Sequence, residues 1–311
     1  MMENERIFIT GGAGFLGKNL IEILYEDNEI TVYSRDESKH YFLKKKYPKV
    51  NFIIGDIRNK DLLIRKSKSH SIGIFAASLK QIEACNDNFE EAKSIIIDGA
   101  INSRIAAETN NFKSACFISS DKSRASTTLY GAMKYVAGES FIANDSECNL
   151  TTAIYGNVTN STGSILPLIW NYIDSKKEIE LYNPEMTRFL LDVDEAINLI
   201  LKSTKYKNCS IIPVAKSFLV KDLFDIFSEK FGLRYKITSE RTGEKIHEIM
   251  ASSEEIRRME FIKEDDLYLL YPNKIINHLK FQNNEYSSRD NCLSKQELYN
   301  YLEFNNFFKI N

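Results

Sequence analysis

The stretch Thr10-Gly11-Gly12-Ala13-Gly14-Phe15-Leu16-Gly17 decides the fold of this chain. An apolar run over residues 6–10 leads into it, and Leu16, Leu20, Ile23 and Leu24 follow at helical spacing, so a helix is expected over residues 15–25. A strand that turns through glycine straight into a helix aims the first backbone N–H groups, and the positive end of the helix dipole, at one point. Glycines at 11, 14 and 17 let that backbone lie against a pyrophosphate, which is how a dinucleotide is held. The same triplet also occurs in ordinary tight turns, so its weight comes from what surrounds it.

Working outward, short apolar segments at 29–34, 50–54, 72–77, 114–119 and 151–155 alternate with amphipathic stretches of helix length. That alternation is the pattern of a parallel sheet with helices on both faces. The expected fold is α/β, a Rossmann-like doubly wound parallel sheet with a smaller C-terminal substrate-binding subdomain. Residues 1–160 are expected to form the dinucleotide-binding domain, its sheet completed by later segments, and 161–311 the substrate-binding region. Within the tail, Leu298, Tyr301 and Leu302 fall at helical spacing and predict a last packed helix.

Composition narrows the function. A length of 311 residues, with 43% hydrophobic residues, 16 Tyr and 19 Phe against only 13 Gly and 5 Pro, supports a packed core and excludes a linker-rich or disordered chain. The 41 Lys and Arg against 43 Asp and Glu leave a net charge of -2, which argues against nucleic acid as a partner. Cys85, Cys116, Cys148, Cys209 and Cys292 are odd in number and far apart, so reduced thiols in a cytoplasmic setting are expected. His40, His70, His247 and His278 show no metal-ligand spacing, and no metal site is expected. The N-terminus holds neither a signal-like apolar region nor a membrane span.

The second strand ends in Tyr33-Ser34-Arg35-Asp36, where the adenosine ribose of a dinucleotide would lie. Arg35 beside Ser34 suits a 2'-phosphate and favours NADP, while Asp36 one step later keeps NAD open. Further on, Tyr130-Gly131-Ala132-Met133-Lys134 follows Ser119-Ser120-Asp121-Lys122 at a strand end. Tyr130 and Lys134 share a helix face one turn apart, so the ammonium can favour the phenolate through space and make tyrosine usable as a base. Downstream of a glycine loop in an alternating sheet, this pair points to hydride chemistry.

These pieces resemble the extended short-chain dehydrogenase/reductases. The runs ITGGAGFLGKN, VYSRDE, FIIGDIR, AASLK, SSDKS with LYGAMK, YGNV, GSILP, MTRF, RTGEKIHEIM and EYSS, in that order from residue 9 to about 288, resemble one group within them. That group is the inverting UDP-N-acetylglucosamine 4,6-dehydratases, which open the route to pseudaminic acid. The resemblance implies that Tyr130 takes the C4 hydroxyl proton as hydride passes to NADP. Lys122 then removes the C5 proton, Asp121 donates to the departing C6 hydroxyl, and Ser120 holds the 4-oxygen. Hydride returns to C6, and C5 is reprotonated from the other face. Retaining relatives carry Asp-Glu where this chain has Asp121-Lys122.

The resemblance also places Gly11, Ala13, Gly14, Phe15, Leu16 and Gly17 at the pyrophosphate, and Arg35, Asp36, Glu37, Ser38, Lys39 and His40 at the adenosine phosphate. Asp56 and Ile57 fall near adenine. Ala76, Tyr130, Lys134 and Val158 fall along the nicotinamide half, with Lys80 reaching both cofactor and substrate. For the UDP-sugar it implies Asn157, Gly163, Ser164, Ile165, Met186, Arg188, Arg241 and Glu244, and it implies a homo-oligomer. Three positions depart from the group: Ile96 stands where a relay Asn is usual, Thr162 where an Arg precedes Gly-Ser, and Ile154 where an Arg precedes Tyr155. The segment 123–129 also lacks the usual proline. A nucleotide-sugar C4-epimerase or 4-keto reductase would need Tyr130 and Lys134 but neither Asp121 nor Lys122. A catalytically degenerate NADP-binding scaffold is the reading outside enzymes.

Overall fold

The computed structural model describes residues 2–159, 161, 163–239, 244–277, 279–281 and 284–309. The glycine loop joins strand β1 (Arg6–Thr10) to helix α1 (Phe15–Leu24). On α1 the buried residues are Gly17, Leu20, Ile21 and Leu24, whereas Ile23, expected on the apolar stripe, is 42% exposed. Leu20 and Leu24 keep their expected place, and Ile21, four residues on from Gly17, replaces Ile23 on the buried face.

Strands β2 (Glu29–Ser34), β3 (Asn51–Ile54), β4 (Ile72–Phe75), β5 (Ser114–Ile118) and β6 (Asn149–Ala153) follow in parallel. The connections carry helices α2 (Glu37–Lys46), α3 (Lys60–Lys66), α4 (Ile82–Asp87), α5 (Phe89–Lys93), α6 (Gly99–Thr109) and α7 (Leu129–Ile142). Between α5 and α6 one turn, Ser94–Asp98, widens to a π-helix.

The later half adds α8 (Ile165–Ser175), β7 (Glu178–Leu181), β8 (Thr187–Leu190), α9 (Val193–Ser203), β9 (Cys209–Pro213), β10 (Lys216–Leu219), α10 (Val220–Phe231) and β11 (Arg234–Ile237). It continues with β12 (Ile249–Ala251), α11 (Ser253–Ile256), β13 (Met259–Ile262), β14 (Leu267–Leu270), β15 (Tyr286–Ser287) and α12 (Lys295–Phe304). Nine strands form one sheet in the order β13-β14-β9-β6-β5-β4-β1-β2-β3, so three of them come from beyond residue 160. β9 joins parallel to β6, and β14 and β13 are antiparallel additions. Strands β4, β5 and β9 are buried along their whole length, as expected where both faces of a sheet are covered. Edge strand β3 is half-exposed.

Strand order reverses between β1 and β4, which opens a crevice at the carboxyl ends of those strands, where ligands of such sheets bind. One apolar cluster packs α1 and α9 on one face of the sheet, and a second packs α6 and α7 on the other. A third core, built from α8, α10 and α12 and the short strands beside them, lies apart from these two and buries Leu298 and Leu302 of the tail helix. Among the described residues no helix is long and apolar enough to cross a membrane, and no group of three His, Cys, Asp or Glu could hold a metal ion.

Candidate active site

The glycine loop borders the crevice. Gly11 has φ +69, and a Cβ there would stand 2.9 Å from the backbone of Ala77, so only glycine brings β1 this close to the end of β4. Gly14 precedes α1 in extended conformation and makes no side-chain cap, which leaves the first N–H groups of the helix facing the crevice. The crevice encloses about 1020 Å³. Gly11, Ala13, Gly14, Phe15, Leu16 and Gly17 line its floor, and Ala76, Lys80, Tyr130, Lys134 and Val158 also border it.

At the end of β2, Arg35, Asp36 and Lys39 border the crevice with Asp56 and Ile57, but Glu37, Ser38 and His40 do not. His40 is buried, with Nε2 2.6 Å from Ser34 Oγ, on the face of α2 that turns toward the sheet. Asp36 is committed to the protein. Its carboxylate caps α2 by accepting from the Lys39 backbone N–H at 2.9 Å and pairs with Lys39 Nζ at 2.7 Å, which together hold it below the usual carboxylate range. Asp56 accepts from Arg58 Nη2 at 2.6 Å and lies 3.8 Å from Arg35, whose guanidinium remains largely exposed. An anion approaching the end of β2 therefore meets Arg35 first, with the nearby carboxylate charges already partnered.

Another wall of the crevice is formed by the strand end after β5. Ser120 caps a single 3-10 turn, Asp121–Ser123, and donates to Asp121 Oδ1 at 2.8 Å. Helix α7 presses on this turn so closely that a Cβ at Gly131 would stand 2.1 Å from the Lys122 carbonyl oxygen. That contact brings Tyr130, one residue earlier, to the turn, close enough for Ser120 and Lys122 to act on its hydroxyl. Burial pushes the Tyr130 hydroxyl up to about 12, with Lys122 and Ser120 pulling against it. Lys122 is thus a cation that acts on Tyr130. Lys134, expected in that role, donates to the Ile118 carbonyl at 2.9 Å and sits over the Phe117 ring. Burial pushes Lys134 down to about 8.

Asp121 is 1% exposed, and burial together with the charge of Glu248 holds its carboxyl above the usual range despite Lys122. Lys122 Nζ lies 3.5 Å from Asp121 Oδ1 and 3.4 Å from Glu248 Oε1. Burial alone would lower this lysine, but the two carboxylates outweigh it and hold the ammonium above the ordinary lysine range. Glu248 is absent from the sequence reading, although the IHE run carried the signal. Arg124 is also absent from it. Its buried guanidinium pairs with Glu139 of α7 at 3.0 Å and Glu255 of α11 at 2.6 Å, which ties the turn to two other elements. Cys85 on α4 lies close enough to act electrostatically on both Lys134 and Tyr130.

A second cavity of about 450 Å³ adjoins the first, and Asn157, Val158, Gly163 and Ser164 border both. Ile165, Met186, Arg188 and Glu244 line it, with Tyr172 and Tyr182 among the aromatic walls. Arg188 pairs with Glu244 through Nη2 and donates from Nη1 to the carbonyls of Thr187 at 2.7 Å and Ile246 at 3.2 Å. Arg241 and Thr162 lie outside the described residues. Ile96 is buried in the π-helical turn, and its neighbour Ile95 is the residue that reaches the first cavity. Ile154 is buried in the core under β12.

Comparison with known proteins agrees with this geometry. Residues 7–268 match the family described as polysaccharide biosynthesis protein. The chain is 31% identical over 268 residues to a UDP-N-acetylglucosamine 4,6-dehydratase (inverting) of Campylobacter jejuni subsp. jejuni serotype O:2, covering 82% of this chain and 80% of that one. It is 32% identical over 279 residues to a UDP-glucose 4-epimerase of Rickettsia canadensis, covering 84% and 81%. The solved structure of Pen from Bacillus thuringiensis superposes with a TM-score of 0.88 at 25% identity, over 99% of each chain. A nine-stranded, mostly parallel sheet, a glycine loop at its switch point and a match spanning most of the chain lead to one conclusion: the chain belongs to the polysaccharide biosynthesis protein family and has the short-chain dehydrogenase/reductase fold.

Proposed function

We propose that this chain is an NADP-dependent UDP-N-acetylglucosamine 4,6-dehydratase that inverts C5 and forms a 4-keto-6-deoxy UDP-sugar. The observation that carries this reading is the placement of Asp121 and Lys122, 3.5 Å apart, on the turn against which α7 packs next to Tyr130. A C4-epimerase needs a tyrosine but no acid–base pair for C5 and C6. The 32% identity to a UDP-glucose 4-epimerase keeps that reaction as the second reading.

The glycine loop fits a pyrophosphate, because Gly11 brings backbone against backbone and the capless start of α1 offers N–H donors. Arg35 would meet the 2'-phosphate, since Asp36 is already engaged. Bound NADP supplies the hydride acceptor and donor for C4 and C6. Tyr130 accepts the C4 hydroxyl proton, and the Lys122 ammonium and the nearby Ser120 offset the cost of forming its phenolate in a buried site.

The Asp121–Lys122 pair carries one exchangeable proton between its two groups. Passing that proton from Lys122 to Asp121 leaves a neutral amine to take the C5 proton and a carboxylic acid to protonate the departing C6 hydroxyl, with no change in the pair's total charge. Residues 1–160 would hold the cofactor and 161–311 the nucleotide sugar, with Asn157, Val158, Gly163 and Ser164 at the junction of the two cavities. Arg188 and Glu244 would line the sugar-nucleotide cavity. The protein would work as a cytoplasmic homo-oligomer.

The test is to incubate the protein with UDP-N-acetylglucosamine in deuterated water and follow the sugar by proton NMR. A C6 methyl signal, deuterium at C5 and altered ring couplings are expected. A sugar changed only at C4 would transfer the assignment to the epimerase reading, and an unchanged sugar would reject the substrate.

A further inference from the structure

Three segments far apart in sequence converge on one buried carboxylate. Glu248 is 5% exposed, its backbone N–H donates to Ser288 Oγ at 2.9 Å, and its carbonyl accepts from the Ser288 N–H at 2.8 Å. Ser288 Oγ lies 2.6 Å from Thr187 Oγ1 and donates to the Thr187 carbonyl at 3.1 Å, while Thr187 Oγ1 lies 2.8 Å from His247 Nδ1. The start of β8, the approach to β12 and the end of β15 are thereby stitched together around residue 248. The result aims Glu248 Oε1 at Lys122 Nζ, 3.4 Å away, with Arg188 Nε at 3.7 Å. Among the described residues Glu248 Oε2 has no hydrogen-bond partner. A carboxylate buried with an unsatisfied oxygen lowers stability, so this arrangement is not explained by packing.

We propose that Glu248 is a positioning residue that fixes Lys122 Nζ beside Asp121 by supplying a second, permanent counter-anion. Its part in the reaction rests on the function proposed above, whereas the contact itself does not. The groups facing this pair are Asp121 and Tyr130 around Lys122, and Arg188 and Lys245 around Glu248. The Lys245 ammonium is held by the Arg124 carbonyl at 2.7 Å, which leaves Lys122 and Arg188 as the cations in direct contact with Glu248. A second anion makes it harder for both Lys122 and Asp121 to release a proton. Removing its charge should move both limbs of the pH profile to lower pH.

The primary test needs no turnover. In the full chain labelled with ¹³Cε-lysine, the Lys122 resonance is assigned by its loss in Lys122→Met and titrated in wild type and Glu248→Gln. Wild-type Lys122 should hold its proton to higher pH than free lysine, and Glu248→Gln should release it about 1–3 pH units lower. An unmoved titration in Glu248→Gln overturns the proposal. If that variant does not fold, a wild-type Lys122 that titrates at or below free lysine overturns it equally.

In turnover of UDP-N-acetylglucosamine, Glu248→Gln should lower kcat about 10- to 100-fold with KM little changed. Glu248→Asp should keep the limbs in place. Loss through KM alone, with limbs unmoved, would mark Glu248 as merely structural. A shifted Lys122 titration in a protein that turns over no UDP-N-acetylglucosamine supports the contact and rejects the reaction.

Discussion

Lys134 and Lys122 are both buried lysines in the wall of one crevice, and the fold pushes them in opposite directions. Around Lys134 the described residues offer a carbonyl oxygen, an aromatic face and a thiol, but no carboxylate, so burial wins and the ammonium is pushed down to about 8. Around Lys122 it offers two carboxylates within 3.5 Å, so counter-charge wins and the ammonium is strengthened. Burial alone therefore does not decide how a lysine behaves; the number of anions buried with it does. The contrast also separates two tasks. A lysine held only by neutral acceptors suits a neutral ligand surface such as a ribose, whereas a lysine between carboxylates is equipped to trade protons.

The sharpest way to break this picture is at the tyrosine on which Lys122 acts. Tyr130→Phe should reduce turnover about 10⁴-fold, the upper end of what an acid–base group contributes, while binding NADP almost as the wild type does. Fluorescence titration of NADP beside a turnover assay checks both halves. Turnover within tenfold of wild type would remove the tyrosine from the mechanism.

Next in size is Lys122→Glu, which places three carboxylates together. Turnover should fall about 10²–10³-fold, and C5 should lose either its exchange with solvent or its inversion. Deuterium incorporation at C5 identical to wild type would refute the assignment of Lys122 as base and weaken the distinction drawn between the two lysines.

Why one lysine could be read from sequence and the other only partly is a matter of range. The glycine loop, β1 and β2 were legible to the residue, because hydrophobic alternation and a strand-to-helix glycine turn are local properties. Tyr130 and Lys134 were legible for the same reason, being one helical turn apart. The charge on Lys122 was not, because Glu248 lies 126 residues away and reaches it only through the convergence of β8, β12 and β15. His40 shows the limit at short range. The stretch after β2 looks polar throughout, but the phase of α2 turns His40 inward onto Ser34 and leaves Arg35 at the crevice. Likewise the π-helical turn puts Ile95, one residue from the aligned Ile96, at the cavity wall.

Cofactor choice gives a smaller expected effect. Because Asp36 is bound up in its helix cap and Lys39, Arg35 is the group left to meet a 2'-phosphate. Arg35→Ala should weaken NADP binding about tenfold or more and leave NAD binding nearly unchanged, as loss of one charge-assisted contact predicts. Calorimetric titration with both cofactors checks it. An equal loss for NAD would mean that Arg35 serves the fold or the adenine rather than the phosphate.

The smallest effect bears most directly on the comparison. Burial pushes Lys134 in the folded chain down to about 8, from 10.5 for an ordinary lysine. Between those values the unfolded chain still binds a proton that the folded chain has released, so stability contributed by this site rises with pH across that window. Below about 8 both forms are protonated, and the folded chain bears the full cost of a buried ammonium held by the Ile118 carbonyl and an aromatic ring. Lys134→Met removes that cost together with one hydrogen bond. The cofactor-free variant should therefore be more stable than wild type by about 1 kcal/mol at pH 7, an advantage that shrinks as pH approaches 10. Lys122→Met should do the reverse at pH 7, since it strands Asp121 and Glu248 together without their shared cation. Urea denaturation of the two variants at pH 7 and 9.5 decides the matter: if both are destabilised alike, burial and counter-charge have not been divided between these two lysines in the way their neighbours indicate.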